Sequence, residues 1–265
     1  MNLLEDENTD FDELVDNLHA AIEQADAHAV IEAIRSVESD DTARLIDRLE
    51  PDDRKALFNL LTPEQGAEVL EHVYYFQGAD IVEELSSEIA APIVAELDSD
   101  DRADLMNELK EADSRAILRE LDKTVADETR RFMAYPEGTA GALMYSEFLS
   151  FEASMTVEEI LNDIQSKREK YIEFGVQYAY ILDRSKKLLG VLPVRNLLFA
   201  AREQRASEIM ILNPATVRPY DSVEELESIF EEHNYLGLPV LNKNGQLIGI
   251  VDRESTTEAL QEAAT

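Results

Sequence analysis

Asp100 and Asp104 stand four residues apart, a spacing that puts two carboxylates on one face of a helix. Such a pair can hold a hard, oxygen-seeking cation that keeps most of its own waters, because one or two carboxylates per ion are then enough. The plainer reading is a solvated helix face or an N-cap. Glu68, in Gly66-Ala67-Glu68-Val69-Leu70, is an acid flanked by apolar positions. Asp221 and Glu224 flank Ser222 and read as the cap and first turn of a helix. Catalytic constellations are absent from the sequence. His19, His28, His72 and His233 are scattered, with no His-Glu-x-x-His, no nucleophile elbow and no phosphate loop ending in Lys-Ser/Thr. The expectation is a binding or regulatory protein and not an enzyme.

The elements that must position these residues fall into two textures. From Phe11 to about Met133 apolar residues recur at helical spacing, as in Leu45, Ile46, Leu49 and Leu57, Leu60, Leu61. Pro51, Pro63 and Pro92 are read as lying just inside helix starts. The run Leu49-Glu50-Pro51-Asp52-Asp53-Arg54 resembles Leu97-Asp98-Ser99-Asp100-Asp101-Arg102, and Ser39-Asp40-Asp41-Thr42-Ala43-Arg44 is a looser copy. A repeated capping loop suggests stacked helical hairpins winding into a superhelix. Tyr135-Pro136-Glu137-Gly138-Thr139-Ala140-Gly141 breaks that pattern and marks a domain boundary.

Beyond it the chain turns to β-rich runs, and one order of elements occurs twice. Thr156-Val157-Glu158-Glu159 matches Ser222-Val223-Glu224-Glu225, each a hydroxyl cap followed by carboxylates. Leu189-Gly190-Val191-Leu192 matches Ile248-Gly249-Ile250-Val251. The turn Asn242-Lys243-Asn244-Gly245 is a hairpin signal, since Asn-Gly tolerates positive φ. Two copies of a βαββα-like unit explain the pattern.

Composition limits the partners. The 265 residues carry 24 Lys plus Arg against 57 Asp plus Glu, a net charge of −33, so nucleic acid and anionic lipid are unfavourable partners and cations or basic proteins the natural ones. An acidic surface adapted to salt is the alternative account of that charge. With 45% hydrophobic residues the chain is expected to fold through most of its length. It has no Cys, no apolar run of the roughly 18 residues that a membrane span needs, and no signal-peptide pattern at its N-terminus. A soluble cytoplasmic polypeptide is expected.

The duplicated unit resembles a tandem CBS pair, on Ala206-Ser207-Glu208-Ile209-Met210, Leu238-Pro239-Val240-Leu241 and Leu247-Ile248-Gly249-Ile250-Val251. Acidic helical hairpins followed by Thr139-Ala140-Gly141-Ala142-Leu143-Met144 and then such a pair resemble the cytosolic part of MgtE-type magnesium transporters and channels. The resemblance implies an all-helical superhelical N domain over 1–135, a first CBS domain over 138–200 and a second over 201–265. It implies Mg²⁺ held by Glu68, Asp100 and Asp104 against the CBS pair, with Asp221 and Glu224 on the CBS side; family carboxylates are replaced at Asn234 and Ser255. It further implies a CBS-mediated homodimer, and a transmembrane domain at the cytoplasmic face of the membrane if the chain is part of a transporter. ATP or another adenine nucleotide is a second implied ligand. The usual ribose Asp is missing at Asn196 and Ser255, while Tyr178, Arg195 and Tyr235 remain to contact adenine or phosphate, with strand packing as their plainer role.

Overall fold

The computed structural model describes residues 3–37, 39–73, 75–172, 174 and 177–263. The chain divides into two compact units, Met1–Leu97 with Asp101–Met133, and Asp98–Asp100 with Ala134–Thr265.

Among the described residues ten helices run through the first stretch of chain: α1 (Leu3–Glu23), α2 (Ala27–Arg35), α3 (Ser39–Asp47), α4 (Pro51–Leu60), α5 (Pro63–Glu71), α6 (Tyr75–Glu84), α7 (Ser87–Glu96), α8 (Ser99–Glu108), α9 (Glu111–Glu120) and α10 (Lys123–Phe132). Their starts follow from local chemistry. Thr62 accepts from the Gln65 N–H at 3.3 Å while the Gln65 side chain accepts from the Thr62 N–H at 3.0 Å, and Pro63 supplies the fixed φ of the first turn. Pro51 does the same for α4. Pro92 does not: it lies inside α7, well past the first turn, where it removes one N–H from the helical ladder.

The repeated capping loop has a structural meaning that its sequence did not reveal. Arg54 and Arg102 hold matching places, and each donates back to the leucine carbonyl that precedes its own helix, Leu49 O at 2.9 Å and Leu97 O at 2.7 Å. Each also reaches a carboxylate further along the chain, Glu84 and Glu128 respectively. Arg102 is 4% exposed and is further held by Thr129 Oγ1 at 3.0 Å. Alternate helices pack on one another, α5 on α7 on α9 and α2 on α4 on α6. Gly66 allows the first of these approaches, since a Cβ there would meet Ile93 at 3.0 Å. Leu18, Leu45, Ile46, Leu57, Phe58, Ile81 and Met106 are fully buried at the centre.

The second unit contains α11 (Ala140–Leu143), β1 (Leu149–Glu152), α12 (Val157–Ser166), α13 (Arg168–Tyr171), β2 (Tyr178–Leu182), β3 (Leu188–Pro193), α14 (Val194–Phe199), α15 (Ala206–Ile209), β4 (Ile211–Leu212), α16 (Val223–Glu232), β5 (Gly237–Leu241), β6 (Leu247–Asp252) and α17 (Arg253–Ala263). One sheet has the order β1-β2-β3-β4, with β1 parallel to β2 and the other pairs antiparallel. The other is the hairpin β5-β6. Single bridges extend it by the same rule: Val217 lies parallel to Val240, and Tyr145 antiparallel to Ile250.

The two repeats therefore exchange their leading segments. α11 precedes the first repeat yet packs on β6 of the second, while α15 precedes the second yet packs on β3 of the first. Strand alternation divides the side chains of β2. Ala179 and Ile181 enter one core with Leu149, Ile160 and Leu192, whereas Tyr180 faces the other way, against Val191, Leu247 and Ile250. The matched caps are present, Thr156 with Glu159 and Ser222 with Glu225, both as capping boxes. In the Asn-Gly turn only Gly245 has positive φ, at 76°. Its counterpart in the first repeat is Lys186, at 65°.

Candidate ligand grooves and acidic positions

Asp100 and Asp104 lie one turn apart on α8, both partly buried. Arg102 sits between them in sequence, and its hydrogen bonds fix the helix start that carries both acids. Glu68 lies on α5 and is bound by Arg35 in a two-pronged pair, Nε to Oε1 at 2.8 Å and Nη2 to Oε2 at 2.7 Å. That hydrogen bonding holds the Glu68 carboxyl below the usual carboxylate range against a smaller opposing effect of burial. A cation at Glu68 must displace Arg35 or share the carboxylate with it.

On the second unit, Asp221 accepts from the Arg218 N–H at 2.7 Å. Glu224 is exposed in the first turn of α16, its pKa lowered chiefly by the Ser222 hydroxyl. Among the described residues no group of three or more His, Asp or Glu side chains converges to enclose a metal.

Tyr178, Arg195 and Tyr235 come together. They line one open groove of about 730 Å³, with Pro193 and Val194 at the end of β3, Asn213 to Ala215 beyond β4, and Leu236 to Pro239 entering β5. Arg195 is exposed at its mouth. Tyr235 is half-buried, its ring 4.9 Å from that of His233. A groove of this size, with apolar walls, two tyrosine rings and an exposed guanidinium, suits a planar base carrying a phosphate.

A second, smaller groove of about 200 Å³ holds the corresponding place in the other repeat. Asp252 and Glu254 there replace Pro193 and Arg195, after β6 in place of β3. Its aromatic wall is Tyr145, Phe148, Tyr178 and Tyr180. Sequence reasoning missed both Asp252 and Glu254 as site residues, although aligning the two Gly-containing strands sets Glu254 opposite Arg195. The aromatic wall is harder to foresee, because Tyr145 belongs to the exchanged leading segment.

Comparison with known proteins agrees with this architecture. The MgtE intracellular N domain family matches residues 37–138, and the CBS domain family matches residues 206–262. The magnesium transporter MgtE of Thermus thermophilus is 32% identical over 145 residues, covering 55% of this chain and 32% of that protein. MgtE of Bacillus subtilis is 29% identical over 119 residues, covering 45% and 26%. The chain thus spans between a quarter and a third of the length of these relatives. The crystal structure of the soluble part of a magnesium transporter superposes with a TM-score of 0.83 at 22% identity, covering 96% of this chain and all of that one. That of the cytosolic domain of the Mg²⁺ channel MgtE in complex with ATP gives 0.80 at 28% identity, covering 92% and 99%.

Fold and matches define the class, a helical MgtE N domain joined to a CBS pair. Residues 37–138 match the MgtE intracellular N domain, and the chain is similar in fold to the cytosolic domain of MgtE.

Proposed function

We propose that this chain is the Mg²⁺-sensing regulatory region of an MgtE-type magnesium transporter, at the cytoplasmic face of the membrane. In this reading it is joined to a transmembrane domain and dimerises through its CBS pair. The observation that carries it is the acidic pair Asp100 and Asp104 on α8, in a chain of net charge −33 whose fold is that of the MgtE cytosolic region. Glu68, Asp221 and Glu224 are the further proposed ligands. Acidic surfaces repel one another at low Mg²⁺; divalent ions that bind only a compact arrangement shift the population toward it. Closing would then inhibit ion uptake. Small-angle scattering over millimolar Mg²⁺, at constant monovalent salt, should show a falling radius of gyration. An Asp100→Ala/Asp104→Ala double variant should lose most of that response. No compaction of the parent chain would sink the reading.

A second ligand is supported by the groove of Tyr178, Arg195 and Tyr235, and by the ATP complex of the 28%-identical neighbour. In this reading Arg195 pairs with phosphate and the tyrosines hold the base. Calorimetric titration with ATP, ADP and AMP tests it. Arg195→Ala should weaken ATP binding by about tenfold, the equivalent of about 1.4 kcal/mol. Silence for all three nucleotides would remove nucleotide from the account.

A further inference from the structure

The smaller groove of the CBS pair differs in chemistry from its counterpart. Asp252 closes β6 and Glu254 opens α17, at the places where the other repeat has Pro193 and Arg195. Asp252 Oδ1 accepts from Ser255 N at 2.8 Å and Ser255 Oγ at 2.9 Å, which anchors the carboxylate at the groove edge. Glu254 is exposed. A phosphate entering here would meet three carboxylates, Glu147, Asp252 and Glu254, so a nucleotide is disfavoured.

The opposite wall is aromatic. Phe148 and Tyr180 pack edge to face at 5.7 Å, with Tyr145 and Tyr178 beside them. Tyr180 is 3% exposed. No hydrogen bond within the described residues uses its hydroxyl, although fully buried side-chain polar atoms there all have partners. The hydroxyl oxygen lies 3.6 Å from where a Cβ on Gly237, which lines the same groove, would stand. Burial raises the pKa of Tyr145 and of Tyr180 far above the ordinary phenol value, so both stay neutral and keep an oxygen lone pair for a donor.

The groove runs into a wider one of about 510 Å³ along α17, and the two share Gln177, Leu236, Asp252 and Glu254. Glu258, one helical turn after Glu254, lines the extension. Arg253 also borders it, but its guanidinium is turned to the carbonyls of Tyr235, Phe230 and His233 and lies over the Phe230 ring. Aromatic faces and a hydroxyl at a narrow end, with carboxylates at its mouth and along an elongated extension, match a chain of methylenes bearing an ammonium at each end.

We infer that this groove binds an aliphatic diamine or polyamine, one ammonium against Asp252 and the tyrosines and the next against Glu254 and Glu258. An inorganic divalent ion gains nothing from the aromatic wall, whereas an alkylammonium uses both walls. The inference rests on neither the Mg²⁺ nor the nucleotide reading.

Calorimetric titration of the whole chain with spermidine, putrescine and methylammonium, at fixed ionic strength, tests it. Spermidine and putrescine should saturate one site per chain, and methylammonium should bind at least about tenfold more weakly. Glu254→Arg, which copies the first repeat, and Asp252→Asn, which keeps an acceptor for Ser255, should each weaken spermidine by about tenfold or more. Tyr180→Phe should cost about threefold. The thermal unfolding midpoint of Glu254→Arg should match that of the parent chain, which separates loss of the site from loss of the fold. Unsaturable uptake, or spermidine binding indifferent to both carboxylate changes, would mean a counterion cloud around the acidic chain and overturn the inference. Stoichiometric displacement of spermidine by Mg²⁺ at matched ionic strength would overturn it too.

Discussion

Two repeats of one small unit make up the CBS pair, and they differ most where each β-hairpin hands over to its helix. After β3 come Pro193 and Arg195; after β6 come Asp252 and Glu254. The backbone path is shared, with antiparallel β2-β3 and β5-β6 broken by a register shift at the same relative place. Two or three side chains at a strand end thus change the charge of the groove edge while the hairpin register is kept. Duplication preserves what packing demands and leaves groove chemistry free to diverge.

Changes that exchange features between the repeats test that view. The largest effect is expected at the strand glycines. A Cβ at Gly190 would meet the Ile211 carbonyl oxygen and Met210 Sδ, both at 2.7 Å, whereas the three atoms nearest to one at Gly249 all belong to the Met144 side chain, from 2.7 Å. Backbone cannot yield as a methionine can. Gly190→Ala should cost about 2–3 kcal/mol in urea unfolding and Gly249→Ala about 1 kcal/mol. Equal costs would mean that β4 is no more rigid than a side chain.

The hairpin turns come next. Lys186 occupies in the first repeat the positive-φ place that Gly245 fills in the second. Gly245→Ala should destabilise by about 1 kcal/mol and Lys186→Gly stabilise by about 0.5 kcal/mol, both read from thermal or urea unfolding. The Asx-type bonds of the two turns are alike, Asp183 Oδ1 accepting from Ser185 N and Lys187 N, and Asn242 Oδ1 from Asn244 N and Gln246 N. The difference therefore isolates the backbone angle.

The smallest effect concerns pH and contrasts a paired acid of the helical unit with the open acids of the groove. The Arg35 pair lowers the folded pKa of Glu68 below its reference of 4.5. Its contribution to stability is therefore fully present above 4.5 and lost as pH falls through the lowered folded value. An NMR titration of the Glu68 carboxyl should show Arg35→Ala raising its pKa toward the reference. An unmoved pKa would remove Arg35 as the cause.

Much of this was legible in the residues. Thr156 and Ser222, each followed three positions on by a glutamate, announce α12 and α16, because a hydroxyl cap and a reciprocal carboxylate satisfy the same two N–H groups wherever they occur. Tyr178 to Leu182 reads as a strand, and its alternation already separates Tyr178 and Tyr180 from Ala179 and Ile181. Pro92 was misread because a proline signals a helix start by frequency alone, while α7 tolerates one further in. Pairing of Glu68 with Arg35, far apart in the chain, has no local signature at all.

The sequence by itself determined the kinds and order of the elements, the duplication, the acidic charge and the MgtE resemblance, since caps, periodicity and composition act over a few residues. Only the tertiary structure decided that α11 packs on β6 and α15 on β3, that Tyr178, Arg195 and Tyr235 share one groove, and that Tyr145 and Tyr180 face Asp252 and Glu254 across another. These are contacts between segments distant in the chain, which burial of apolar surface and the pairing of strands select, and no local pattern encodes them.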